Sequence, residues 1–405
     1  MKIKVAKQDL EAGFQVVNPS LAGTGSDLSS HYVFRVRDEG DGNNQFVEVL
    51  TYNQWAYASC PLRGASIEDA KDGDAFTVEG WRLKQWLPAA GEGVVVEIDV
   101  DGSDVTMTVP KGAQKFQSLD PSNFPWWDKT LEESEEVAVI DAGRMGAALD
   151  FAKRFASDQD TKTKKTCVCE MQGGVFYATN RIVAAAVEIR GMEKSNMRIH
   201  VKNAPQVLSF LKTIQGDVGV LEHDRGVIFK RGDGAMFGAQ RFVEAFQTFG
   251  RPGADQRVWI LPVTDLKDAI PFLTAGAAKE DSKIRLKRAT EDGPITLTMA
   301  TVGGDFVSVD VPVVESETVG DKLPTIPDNG FPVSHLFLQK IVELFAKDGD
   351  NIRVGVNIRE RQGEKTGYLR FADSRFAVED EEGAPMADTE DGYLAVLAWT
   401  RELGT

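Results

Sequence analysis

The stretch of this 405-residue chain best spaced for chemistry is Val137-Ala138-Val139-Ile140-Asp141-Ala142-Gly143-Arg144-Met145-Gly146. An apolar strand running through a glycine-spaced turn into a helix is how a dinucleotide pyrophosphate is cradled. Here Asp141 stands where the first glycine belongs, its carboxylate would oppose the phosphates, and hairpins follow the helix, so a plain strand-to-helix turn is expected. Cys167 and Cys169 flank Val168 on an expected strand and share one face. Two thiolates suit zinc, but no second cysteine pair or paired histidines complete a tetrahedron, which leaves core cysteines. His31, His200, His223 and His335 are scattered over three repeats, with no nucleophile signature beside them. Asp99, Asp101 and Asp104 lack the glycine and the closing glutamate of a calcium loop and read as a hairpin turn. The expectation is a protein that is not an enzyme and uses no metal or cofactor.

Charge is more informative. The 46 Lys+Arg against 62 Asp+Glu give a net charge of −16, which makes broad adhesion to a phosphate backbone unfavourable. The expected helical stretches with their adjoining loops nevertheless sum to +6, leaving −22 elsewhere. Such a chain can present one basic surface to a polyanion and repel it everywhere else; the plain alternative is a set of ordinary solvated helix faces. Three cysteines make no disulfide framework, no apolar run approaches about 18 residues, and the N-terminus does not read as an export signal, so a cytoplasmic protein is expected.

The elements that must carry these charges form a repeat. Six times a short strand leads into an amphipathic helix and then three strands joined by turns. The first strands begin near Lys2, Ala75, Glu136, Met197, Arg257 and Phe331, and near-equal steps argue for duplication. Met145, Ala148, Leu149, Ala152 and Phe155 recur at helical spacing, while Val105 to Val109 and Ile295 to Met299 alternate as strands with one buried face. Turn pairs such as Asp101-Gly102 and Gly173-Gly174 connect them as hairpins. The fold class is therefore α+β. Pairing neighbouring repeats gives three similar domains, 1–127, 128–250 and 251–405, with Pro- and Gly-bearing junctions at Pro121 to Trp127 and Phe249 to Gly253. Extra length falls in Val314 to Asp328 and in the acidic loop 379–391.

This pattern resembles the bacterial sliding clamps, the β-type processivity factors of replicative DNA polymerase. Tyr177-Ala178-Thr179-Asn180-Arg181-Ile182-Val183-Ala184 is similar to the family's A-T-D-G-H-R-L-A. Tyr393-Leu394-Ala395-Val396-Leu397 is similar to its closing Y-V-V-M-P, and Ser118 to Pro125 to the F-P ending of its first domain. The chain departs by lacking two residues where the family has Gly-His before Arg, and by a tail running through Trp399 to Thr405. Such divergence would suit a phage-encoded clamp.

The resemblance implies a head-to-tail homodimer closed into a ring, with helices lining the hole and strands on the rim. Duplex DNA would be held without sequence preference by Arg82, Lys84, Lys153, Arg154, Lys162, Lys164, Lys165, Lys202 and Lys212. Replicative polymerase and clamp loader would dock by short peptide motifs in a pocket carried over onto Thr179, Arg181, Ile182, Leu394 and Val396, with Trp399 beside it. The alternative for Ile182, Leu394 and Val396 is core packing. The setting would be the cytoplasm of a bacterial cell, or of an infected host cell if the clamp is a phage's. The competing reading of the chain is a non-enzymatic phage particle protein built of duplicated hairpin domains.

Overall fold

The computed structural model describes residues 1–25, 27–38, 45–157, 166–242, 257–275, 277, 283–288, 290, 293–302, 304–318, 326, 330–346, 351–361, 364–372 and 392–398. Along the chain the first repeat is β1 (Lys2–Ala6), α1 (Lys7–Val17), β2 (His31–Asp38), β3 (Gln45–Asn53) and β4 (Ala56–Leu62), followed by a short β5 (Ser66–Glu68). The second is β6 (Ala75–Glu79), α2 (Gly80–Ala89), β7 (Val95–Asp101), β8 (Asp104–Val109) and β9 (Gly112–Gln117), followed by a short α3 (Asp128–Glu132). The third is β10 (Glu135–Asp141), α4 (Ala142–Lys153), β11 (Val168–Gln172), β12 (Val175–Thr179) and β13 (Val183–Glu188). The fourth is β14 (Arg198–His200), α5 (Ala204–Leu211), β15 (Asp217–His223), β16 (Gly226–Lys230) and β17 (Met236–Gln240). The fifth is β18 (Arg257–Pro262), α6 (Val263–Ala275), β19 (Lys283–Arg288), β20 (Ile295–Ala300) and β21 (Phe306–Val311), with β22 (Glu315–Thr318) appended. The sixth is β23 (Phe331–Ser334), α7 (His335–Phe345), β24 (Asn351–Arg361), β25 (Glu364–Ala372) and β26 (Gly392–Ala398). The expected strand-helix-three-strand frame is thus present six times.

The chain forms two compact units, Met1–Leu149 with Lys194–Val243, and Asp150–Glu193 with Glu244–Thr405. In the first unit, one sheet runs β5-β1-β7-β8-β9 and an eight-stranded sheet runs β10-β15-β16-β17-β4-β3-β2-β6. Repeats 1 and 2 therefore exchange their first strands, β1 lying on β7 and β6 on β2. The last strands of repeats 1 and 4 also meet, with Ser59 of β4 opposite Met236 of β17 and Ala56 opposite Ala239. In the second unit, β11-β12-β13-β26-β25-β24-β18-β22 run as one sheet, and β21-β20-β19-β23 form a second of four strands. Repeats 5 and 6 exchange first strands in the same manner, β18 on β24 and β23 on β19.

Periodicity accounts for these elements. In α1, Leu10, Phe14 and Val17 recur at spacings of four and three and are buried. Phe14 stacks on Tyr32 of β2 at 4.2 Å, and Phe34 on Phe76 of β6 at 4.9 Å, so aromatic pairs tie the exchanged strands to the helix. In β20, Ile295, Leu297 and Met299 are buried while Thr296 and Thr298 are not, the alternation of a half-buried strand. In the second unit, Leu338, Ile341, Val342 and Phe345 of α7 are its buried stripe, and Phe345 meets Phe151 edge-on at 5.7 Å.

The segment between repeats 2 and 3 is packed rather than loose. Trp127 stacks on Tyr57 of β4 at 5.0 Å, and Phe124 meets Trp126 at 4.9 Å. The buried Arg35 of β2 pairs with Glu48 of β3 at 2.7 Å and with Asp128 at 2.6 Å, its guanidinium lying 4.5 Å from the Trp126 ring. A charge taken out of water needs such partners on every side.

Candidate functional site

The turn from β12 into β13 is assembled by its own side chains. Thr179 Oγ1 donates to Val183 O (2.6 Å) and accepts from Arg181 N (2.9 Å). Asn180 Oδ1 accepts from Ile182 N (3.0 Å) and Val183 N (2.9 Å). Short polar side chains that bond the backbone two and three residues on favour such a turn over a continued strand. Arg181 is thereby held at φ +81°, in the left-handed region that bulky residues rarely enter. Ile182 is turned outward and is 45 % exposed, so it is a surface residue and not part of the core.

Beside this turn runs the seam of β13 and β26. Val183 lies opposite Leu397, Ala184 opposite Val396 and Ala186 opposite Leu394. The register thus brings Thr179, Arg181, Ile182, Leu394 and Val396 to one stretch of sheet, Val396 two register positions from Ile182. The side chains of Leu394 and Val396, and the whole of Trp399 and of the loop 379–391, lie outside the described residues. Along the same strand the buried Ala186 packs with Ala372 of β25 against Val175 and Tyr177. The sequence reading missed this small cluster. Its signal was the run Ala184-Ala185-Ala186, whose small side chains leave a shallow sheet surface.

The basic residues differ among themselves. Lys202 and Lys212 are exposed at the two ends of α5. Lys84 is exposed on α2, its Nζ 6.0 Å from the Tyr32 ring, and partial burial lowers its pKa from the usual lysine value. Arg82 donates to Lys115 O (3.1 Å), and its Nη1 lies 3.7 Å from Glu79. In the second unit, Lys153 and Arg154 both close on Asp150, at 3.0 Å and 2.7 Å. Burial would raise the Asp150 pKa, but the bonds from Lys153 and Arg154 outweigh it and hold the carboxyl below its usual range. Part of the expected positive charge is therefore spent within its own helix turn. Lys162, Lys164 and Lys165 lie outside the described residues. Arg144, exposed in the first turn of α4, is a cation that summing charge by helix did not single out.

The other chemistry-bearing groups are structural. Asp141 Oδ1 accepts from Arg144 N at 2.8 Å, so the carboxylate caps α4 where a phosphate would otherwise sit. Asp101 and Asp104 are opposite one another across a hairpin turn with Gly102 at φ +57°. Cys60, Cys167 and Cys169 are buried, and burial pushes the thiols of Cys60 and Cys169 up to about 11 and about 12, far from thiolate chemistry at neutral pH.

By sequence alone, no protein-family model and no curated protein matches the chain. By structure it is similar to bacterial sliding clamps along its whole length. The DNA polymerase sliding clamp of Caulobacter crescentus superposes with a TM-score of 0.75 at 15% identity, over 99% of this chain and 100% of that one. The sliding clamp of Bacillus subtilis gives 0.75 at 13%, over 99% of each chain. The DNA polymerase III β subunit of Bartonella birtlesii, solved bound to griselimycin, gives 0.71 at 14%, over 99% and 100%. The chain has the sliding-clamp fold at 13–15% sequence identity to these structures.

Proposed function

We propose that this protein is a DNA sliding clamp, a non-enzymatic ring homodimer that encircles duplex DNA and tethers the replicative polymerase for processive synthesis. The observation that carries the reading is the end-to-end match to sliding clamps of a chain built from six strand-helix-three-strand repeats. Its domains are 1–127, 128–250 and 251–405. The exchange of first strands between repeats 1 and 2, and between repeats 5 and 6, supports that pairing.

Sheet edges support the dimer. Last strands pair within the chain, β4 with β17 and β13 with β26, whereas the last strands of repeats 2 and 5, β9 and β21, are edges among the described residues. An unpaired edge is a template for another chain. Joining β9 of one protomer to β21 of the next, twice, closes a ring. The internal seam supplies the register. The loops 231–235 and 301–305 are closed alike, Arg231 N on Ala235 O and Thr301 N on Asp305 O, both at 2.8 Å. Ala56 and Gly112 both follow a two-residue turn, opposite Asn53 and Val109. Carrying the β4–β17 register across sets Phe306 opposite Lys115, Ser308 opposite Ala113 and Asp310 opposite Lys111. Exposed residues then face exposed ones, half-buried Val307 faces half-buried Gln114, and the last pair is oppositely charged. Val302 and Phe306, large apolar side chains left exposed at this edge, would be covered.

DNA would be contacted through phosphates alone by Lys84, Lys202 and Lys212, with Arg82, Lys153, Arg154, Lys162, Lys164 and Lys165 adding to the field. Polymerase and loader peptides would dock at Thr179, Arg181, Ile182, Leu394 and Val396, with Trp399 alongside. The setting is cytoplasmic. The test combines solution mass, negative-stain imaging and synthesis on primed circular DNA. The expected result is a ring of twice the 44.3 kDa chain mass that lengthens polymerase products; a monomer or open filament at micromolar concentration would overturn it.

A further inference from the structure

The turn between β3 and β4 is built like the one that presents Ile182. Asn53 Oδ1 accepts from Trp55 N and Ala56 N, both at 2.9 Å, as Asn180 Oδ1 does from Ile182 N and Val183 N. Trp55 takes the place of Ile182 and is exposed to a similar degree, 48 %. The turn is pinned to repeat 4, because Trp55 O accepts from Gln240 N at 2.9 Å and from Asn203 Nδ2 at 3.2 Å. The indole stacks on the buried His200 with ring centroids 6.0 Å apart, and Phe242 lies 5.1 Å from that imidazole. An indole held on such a base is ordered before any partner arrives, so little side-chain entropy is lost on binding.

The three segments that meet here, 53–56, 198–203 and 240–242, carry Arg198, Lys202 and Arg241 and no carboxylate, in a chain of net charge −16. Arg241 donates through Nη2 to Asn196 O at 3.3 Å, and Glu222 accepts from Asn196 N on the far side of that residue. A fixed aromatic among cations suits a ligand with an apolar side chain flanked by acidic ones.

We propose that Trp55 anchors a second peptide-docking site, beside the β4–β17 seam, for a short acidic linear segment. Its apolar side chain lies against the indole and its carboxylates toward Lys202 and Arg241, so that this segment and the duplex compete for Lys202. The likeness to Ile182 rests on reading the Thr179–Val183 turn as partner-binding; the stacked indole and the local charge do not.

The probe is an immobilised library of octapeptides drawn from Asp, Glu, Gly, Leu and Phe, screened against the intact protein and against Trp55→Ala, Ile182→Ala and the pair Lys202→Glu with Arg241→Glu. All variants are first matched for thermal unfolding. One class of acidic binders should weaken by about tenfold or more in Trp55→Ala, weaken also in the charge-reversed pair, and be untouched by Ile182→Ala. Fluorine NMR of protein carrying 5-fluorotryptophan, with the Trp55 signal assigned from Trp55→Phe, should show that signal alone moving among the seven tryptophans. Binders sensitive only to Ile182→Ala would overturn this site and leave the first standing; binders sensitive to neither would overturn both. A Trp55 signal that moves with an oligothymidylate of about twenty nucleotides and not with any acidic peptide would assign the indole to single-stranded nucleic acid instead.

Discussion

The six-membered ring of Trp127 occupies the space that a side chain on Gly238 would need: a Cβ built there would lie 2.1 Å from the indole. Trp127 precedes α3, Gly238 sits in β17 opposite Tyr57, and Tyr57 stacks on the same indole. The tryptophan therefore lies across the seam of β4 and β17, and the glycine is what lets it lie flat. Gly238→Ala should destabilise the protein by about 1–3 kcal/mol through overpacking at a site with no room to shift. Adding Trp127→Ala should return part of that loss, because the two side chains compete for one volume. Denaturant unfolding of the two single variants and the double variant measures this; strictly additive losses would refute the packing account.

Asp128 gives the same segment a pH dependence. Burial would raise its pKa, but the bonds from Arg35 and the charges of Arg35 and Arg37 outweigh that and hold it below the usual carboxylate range. A depressed native pKa stabilises fully above the unfolded value, about 3.9, and the contribution is lost as pH falls through the lower native value. The unfolding midpoint should therefore drop between about pH 5 and about pH 3. Asp128→Asn should start lower at neutral pH and lose less on acidification. Parallel pH profiles for the two proteins would exclude Asp128 as a source.

Most of the frame was legible because it is local. Alternation in Val105 to Val109 and the three-and-four spacing in Met145 to Phe155 need only neighbours, and the six first strands begin within a residue of where those patterns place them. What lies between distant segments was not legible. Nothing near Ala75 says that β6 lies on β2, because register between strands is set by packing after collapse. Ile182 among apolar strand residues read equally well as core; its exposure depends on Asn180 and Thr179 bonding the backbone. Summing charge by helix found the cations but hid that two of them, Lys153 and Arg154, share the one carboxylate of Asp150. The acidic loop 379–391, by contrast, was flagged by composition alone, and composition assigns it no partner.

If β9 and β21 join across protomers in the register of the internal seam, residues 113 and 308 are directly opposite. Cα atoms of facing residues in antiparallel strands are about 4.5–5.5 Å apart, within reach of a disulfide. The double variant Ala113→Cys with Ser308→Cys should form a covalent dimer on oxidation, because Cys60, Cys167 and Cys169 are buried and should not compete. A pairing shifted by one residue, Gln114→Cys with Ser308→Cys, should form it much more slowly. Equal yields would refute the register, and no dimer from either would refute the edge pairing.

The partner pocket is tested by reversing the polarity of its exposed member. A docking peptide gains affinity by setting apolar side chains into a desolvated surface, so a few contacts dominate and rim changes matter little. Ile182→Asp places a carboxylate against those side chains without a counter-ion, a cost of about 2 kcal/mol or more, or at least about thirtyfold in affinity. Because Ile182 is 45 % exposed and its turn is held by Thr179 and Asn180, the variant should fold and assemble normally. Val396→Asp is the harder case, since β26 is enclosed between β13 and β25 and a charge there can prevent folding. The two variants therefore separate binding from stability. Measured beside solution mass and thermal unfolding, Ile182→Asp should lose the polymerase peptide while keeping the dimer. An Ile182→Asp protein that is folded, dimeric and binds that peptide normally would mean that the partner surface has moved along the seam, toward the chain end that carries Trp399.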